Sequence, residues 1–179
     1  MKKVVVKNRI PNRLPNLGPA HRYAPGIALP RRGYLPGRMR HPGAVSTGLV
    51  AACTPEAEVP CHTECWRENT FYLLGADCFN RGLWWEAHET WEHAWNTAGR
   101  RSRQGRFLQG LIQIAAAFLK LRLGNKEAAG RLFTAGLNKL AATNATFYMG
   151  LDTVAFTRSV RQDFRSQRTP KSPKLRLTL

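Results

Sequence analysis

The chain has 179 residues, with 28 Lys plus Arg against 11 Asp plus Glu, a formal charge of +17. That length suits one domain with an appended arm, and 43% apolar residues exclude a chain that is disordered throughout. The longest clean apolar stretch is Ile114 to Leu119, far short of the ~18 residues of a membrane span, and MKKVVVKNRIP lacks a secretory apolar core. The expectation is a soluble cytoplasmic protein with no membrane partner.

The charge is unevenly distributed. Residues 1–50 hold ten Lys/Arg and no acid, together with seven of the eleven prolines. Proline fixes φ and removes a backbone donor, so this segment cannot be a regular helix or a central strand. Residues 1–65 are therefore expected to be a basic Pro/Gly-rich arm and linker with little regular structure, in which Tyr23, Ile27, Leu29, Tyr34 and Leu35 are available for packing. A transit peptide is the weaker alternative, because such segments are Ser-rich and this one has only Ser46.

From Trp66 onward the texture turns helical. Glu68 to Asn80 reads as a first helix, with Phe71, Leu74 and Cys78 spaced by three and four and a stop near Gly82. Leu83 to Thr97 is a second, dense in tryptophan. Arg106 to Leu123 is a third, closed by Gly124. Asn125 is a natural N-cap for a fourth, carried by Ala129, Leu132, Phe133, Gly136, Leu137 and Leu140. Asp152 or Thr153 caps a fifth, with Phe156, Val160 and Phe164 on one face. No alternating strand pattern is present. Short links between amphipathic helices imply antiparallel neighbours, so the fold class is all-α: a compact bundle of about five helices over residues 66–165, preceded by a proline-rich irregular N-terminal arm and followed by a basic flexible tail, 166–179.

The second helix concentrates the acids. On a helical wheel Leu83, Trp84, Ala87, Trp91, Ala94 and Trp95 form the core face, His88 and Glu92 lie at its border, and Glu89, His93 and Glu86 fall progressively further round. His88 and Glu92, four residues apart, can touch at the edge of that core. Three readings stay open. The pair is structural, with Glu86 and Glu89 solvated. The pair ligates a divalent metal, as imidazole plus carboxylate suits Zn²⁺ or Fe²⁺, although Glu86 to Glu92 span too wide an arc for all to reach one ion. Or His88 is a general acid–base with Glu92 as its orienter.

The stretches FNRGLWWEAHETWEHAW, RFLQGLIQIAAAFLKLRLGN and MGLD resemble the domain-of-unknown-function family 309, small all-α proteins built around an E-x-H-E-x-x-E-x-x-W helix and an LQG-containing helix. The matching positions are Glu86, His88, Glu89, Glu92 and Trp95, then Leu108, Gln109 and Gly110, then Gly150, Leu151 and Asp152. Pro36 to Pro42 is similar to a proline-rich arm of longer members, with Arg38 and His41 on matching positions. The helical likeness covers residues 71–164 and implies fold rather than activity. It also implies that Glu86 and Glu89 belong with His88 and Glu92 to one polar cluster. Gln109 shares a stripe of the third helix with Gln113, Ala116 and Lys120; the motif places it toward that cluster, where it is expected to hydrogen-bond a carboxylate.

Two cationic features complete the reading. Arg100, Arg101, Arg103 and Arg106, between the second and third helices, are candidate anion ligands, the alternative being that they compensate a helix C-terminus. The basic arm, residues 1–50, is a candidate binder of nucleic acid, ribosome or another polyanion; it is equally suited to lie on its own domain's acidic patch. Cys61 and Cys65 form a C-x-x-x-C around His62 without a second close pair of zinc ligands, Cys53 stands apart, and Cys78 reads as core. The function that these residues support is a binding or scaffold domain whose cluster holds a small ligand, with a metal-dependent or acid–base enzyme using His88 and Glu92 as the alternative.

Overall fold

The computed structural model describes residues 22–40, 49, 63–166 and 174–178. Residues 1–21, with half of the basic arm, and His41, Cys53, Cys61 and His62 lie outside that set.

Among the described residues there are five helices, each ended by local chemistry. Helix α1 (Thr70–Asn80) starts where Asn69 accepts the Tyr72 amide through its side chain, and its chain turns away at Gly82, φ +70°. Helix α2 (Trp84–Ala98) ends at Gly99, also at positive φ. Helix α3 (Arg103–Arg122) begins three residues earlier than the apolar period requires, because Ser102 Oγ accepts the Gly105 amide at 2.8 Å. Asn125 caps α4 (Lys126–Ala141), as its position predicts. Asp152 caps α5 (Thr153–Ser166), accepting the Ala155 amide.

Consecutive helices α1 to α4 pack against one another around a single aromatic core. Phe79 is its hub, with ring contacts to Trp84, Trp91, Phe118 and Phe156. Trp91 is fully buried, and its indole N–H donates to Tyr72 O at 3.1 Å, so the largest side chain brings no unsatisfied donor inside. Cys78 is fully buried in the core. The LQG glycine has a packing reason. A Cβ on Gly110 would stand 3.0 Å from Gly136 O, and one on Gly136 would stand 2.8 Å from Gly110 O, so α3 and α4 cross with their backbones in contact.

One departure from the all-helical expectation is a minimal antiparallel pair, β1 (Phe147–Tyr148) with β2 (Leu151–Asp152). Strands of two residues are too short to carry an alternating pattern. Their turn, Met149–Gly150, has both residues at positive φ, the primed geometry that closes hairpins. Gly150 also lies flat against the Trp66 ring, where a Cβ would come within 2.3 Å.

Residues 22–40 of the arm and 174–178 of the tail are built into the body. Asp77, on α1, is 2% exposed and accepts the backbone amides of Tyr23 and Ala24 and the Arg22 guanidinium, at 2.9, 3.0 and 3.2 Å. Arg22 then ties down its own turn through Ala24 O and Ile27 O. Residues 174–178, expected as flexible tail, instead pair with the body: the Asn80 side chain exchanges two hydrogen bonds with the Leu175 backbone, and Leu177 bridges Leu151. Leu175 is fully buried and Leu177 nearly so, which is why this part is held. Tyr23 hydroxyl accepts the Leu177 amide and so joins arm to tail.

Candidate functional site

The acidic helix α2 begins beneath the arm. On the wheel Glu86 lies outside the core face, yet it is only 8% exposed. Arm residues cover that side: Tyr34 N–H donates to Glu86 Oε1 at 2.8 Å, Gly33 lies over Oε2, and Tyr34 packs edge-on to Trp85. Burial pushes the Glu86 carboxyl above the usual carboxylate range; the Tyr34 amide and the Arg122 charge act the other way. Arg122, at the end of α3, is itself pushed down by burial and held up by Glu86. Among the described residues Glu86 Oε2 is buried with no hydrogen-bond partner. The solvated reading of Glu86 is thus replaced by a buried carboxylate that holds the arm.

His88, Glu89 and Glu92 come together one turn further on. His88 Nδ1 lies 3.4 Å from Glu89 Oε1, and His88 Nε2 lies 3.7 Å from Glu92 Oε1. One ligand atom from each of the three residues falls within a mutual span of 4.8 Å. The 3.4 Å approach is an ion-pair distance without hydrogen-bond alignment, since His88 Nδ1 is buried and makes no hydrogen bond. The Trp85 ring stacks on the imidazole, centroids 5.9 Å apart, and fixes its plane from one side. Side-chain exposures of 24%, 32% and 45% leave the group open to solvent on the other. Trp85, His88, Glu89 and Glu92 follow the 3-4-7 spacing of one helix face, a signal present in the sequence that the wheel centred on Glu86 passed over.

The remaining predicted residues separate. Among the described residues no hydrogen bond joins Gln109 to any of these carboxylates; half-exposed acids are served by water and do not require an amide. One turn along the same stripe, Gln113 Oε1 is buried and without a hydrogen-bond partner, as is Trp95 Nε1. His93 stacks on Phe71. The four arginines are spread over separate contacts. Arg100 lies over the Trp95 ring, and Arg103 donates to Thr143 O at the end of α4 and covers Tyr148. Arg106 donates to Arg101 O, and Arg101 itself is exposed. Asp77, which anchors the arm, and Arg122, which faces Glu86, were not legible as site residues.

What the triad can do follows from its donor set. Imidazole and two carboxylates are hard-to-borderline ligands suited to a divalent transition ion, and the open side leaves room for water or substrate oxygen. The same set can hold a proton between base and acids. A family model, Domain of unknown function (DUF309), matches residues 72–132, about a third of the chain, and the chain resembles that family there. The matched segment contains most of α1, all of α2 and α3, and the triad. No curated protein matches the chain.

Proposed function

We propose that the domain is a binding module whose ligand site is the His88/Glu89/Glu92 triad, and that its ligand is a divalent transition-metal ion. The observation that carries this reading is the span of 4.8 Å over which three ligand atoms converge on the open face of α2. Metal–ligand bonds of about 2.0–2.2 Å require ligand atoms about 3–3.5 Å apart, so modest side-chain rotations close the set. Such rotations are available to half-exposed glutamates and cost little.

Glu86 has a different role in this reading: it holds the arm and keeps a wall beside the triad. Water at the open coordination positions would be acidified by the ion, so a hydrolytic or acid–base activity at His88 and Glu92 is the extension of this site rather than a rival to it. The functional unit is residues 66–165 together with the docked parts of the arm and tail. A cytoplasmic setting, in which Cys65 and Cys78 remain thiols, belongs to the same reading.

The test is isothermal titration of the metal-free protein with Zn²⁺, in a Cys53→Ser, Cys61→Ser, Cys65→Ser background that removes competing thiols. One-to-one binding is expected, weakened at least tenfold by His88→Ala and by Glu92→Gln and unaffected by Glu127→Gln. Equal binding by His88→Ala, or none by the parent, would overturn the assignment.

A further inference from the structure

Helix α5 divides cleanly into two faces. Thr153, Phe156 and Val160 are buried, and Phe164 stacks on Phe133 with centroids 4.0 Å apart. On the opposite side Arg158, Arg161, Gln162, Arg165 and Ser166 are exposed and line an open hollow of about 510 Å³. On the helical wheel the three arginines lie within about 60°, and they extend about 10.5 Å along the axis. The acid of the helix, Asp163, falls on the far side of that wheel. Among the described residues, Arg158, Arg161 and Arg165 make no ion pair and no hydrogen bond.

Ordinary surface chemistry does not account for this stripe. The helix dipole favours a cation in the last turn, which covers Arg165 but not Arg158 or Arg161, further from the end. Arg131, exposed on α4, pairs with Glu127 one turn away. On α5 three guanidiniums are instead lined up with no acid opposite among the described residues, at a cost in mutual repulsion.

We infer that this face of α5 binds the phosphate backbone of nucleic acid without reading its sequence. Guanidinium forks match phosphate oxygens two by two, and a stripe about 10.5 Å long meets about three successive phosphates of one strand, spaced ~3.4 Å along the axis. Gln162 adds a neutral donor of the kind that positions a backbone, while the Ser166 hydroxyl is already donated to Asp163 O. A lipid surface is the less suited polyanion, because the stripe carries no aromatic or leucine side chain to enter a bilayer interface. The stripe is on a different helix from the triad of α2; in the arm Arg31, Arg32, Arg38 and Arg40 also stay exposed.

The experiment measures binding of the full chain to a short mixed-sequence RNA duplex, its single strand and the matching DNA duplex over a salt series. Phosphatidylserine vesicles are run in parallel. Three proteins are compared: the parent, Arg158→Gln/Arg161→Gln/Arg165→Gln, and Arg31→Gln/Arg32→Gln/Arg38→Gln, which removes the same charge from the arm. The expected result is parent affinity that falls steeply with salt and does not depend on sequence. The α5 variant loses at least tenfold and its salt slope flattens by about two to three units, while the arm variant loses less. Circular dichroism checks that both variants remain folded, as substitutions of exposed side chains predict. The inference is overturned if the parent does not bind nucleic acid near 0.1 M salt, if the arm variant loses as much as the α5 variant, or if the α5 substitutions abolish vesicle binding but leave nucleic acid binding intact.

Discussion

At the residue scale, two buried carboxylates do opposite electrostatic work. Asp77 meets three donors, so its charge is compensated; removing it strands the Tyr23 and Ala24 amides without an acceptor. Asp77→Ala is expected to cost about 3 kcal/mol and to expose residues 22–40 to limited proteolysis, read as faster cleavage within the arm under native conditions. Glu86 has one backbone donor at 2.8 Å and an unpartnered second oxygen, and burial raises its proton affinity on folding. A carboxyl whose folded pKa lies above its unfolded one favours folding most at low pH, and that contribution is lost as pH rises through the raised value. Glu86→Gln keeps an acceptor for Tyr34 and removes the buried charge. The variant is therefore expected to melt at or above the parent temperature near neutral pH, and the gap should close as pH is lowered into the ordinary carboxylate range. A variant less stable than the parent near neutral pH, by a deficit that disappears as the carboxyl protonates, would show that the Arg122–Glu86 attraction outweighs the burial cost.

At the scale of elements, the close crossing of α3 and α4 is the feature with the least tolerance. Gly110→Ala places a methyl 3.0 Å from Gly136 O, against backbone that cannot rotate away. The expected cost is about 1–3 kcal/mol, seen as a melting temperature lower by several degrees, whereas Gly130→Ala, with open space at its Cβ, leaves stability unchanged or raises it slightly. The helices themselves were readable from the sequence because their causes are local: apolar residues at three and four, Asn125 and Asp152 as caps, Gly82 and Gly124 as stops. The glycine contact between α3 and α4 was not, since a motif glycine shows that a side chain is unwelcome but not which backbone excludes it. The hairpin at Met149–Gly150 escaped for another reason. Two-residue strands have no period, and their geometry rests on positive φ at a methionine.

At the scale of the whole molecule, what the sequence concealed is long-range. The arm and the tail were legible as basic and proline-bearing, and composition of that kind argues against regular structure; it does not argue against docking. Asp77 to Tyr23, Glu86 to Tyr34 and Asn80 to Leu175 each join residues more than fifty positions apart, and no periodicity predicts such pairs. The net charge of +17 is correspondingly redistributed. Part of the arm lies on the body's buried acids, while α5 presents an uncompensated arginine face of its own. The tail is a structural member, so Leu175→Ala, at a fully buried position, is expected to lower stability by about 2–4 kcal/mol, measurable by denaturant unfolding. Docking of the arm also explains why the triad is more compact than the wheel implied: Glu86 is drawn under residues 33–35, and His88, Glu89 and Glu92 remain as the group facing solvent. The central claim is that this group holds a divalent transition ion. Heteronuclear NMR of the imidazole nitrogens during a zinc titration tests it most directly, with His93, stacked on Phe71, as the internal reference. The His88 nitrogens are expected to shift saturably by one equivalent of zinc while His93 does not move; unchanged His88 signals at saturating zinc, or equal shifts at His93, would rule the ion out of this group.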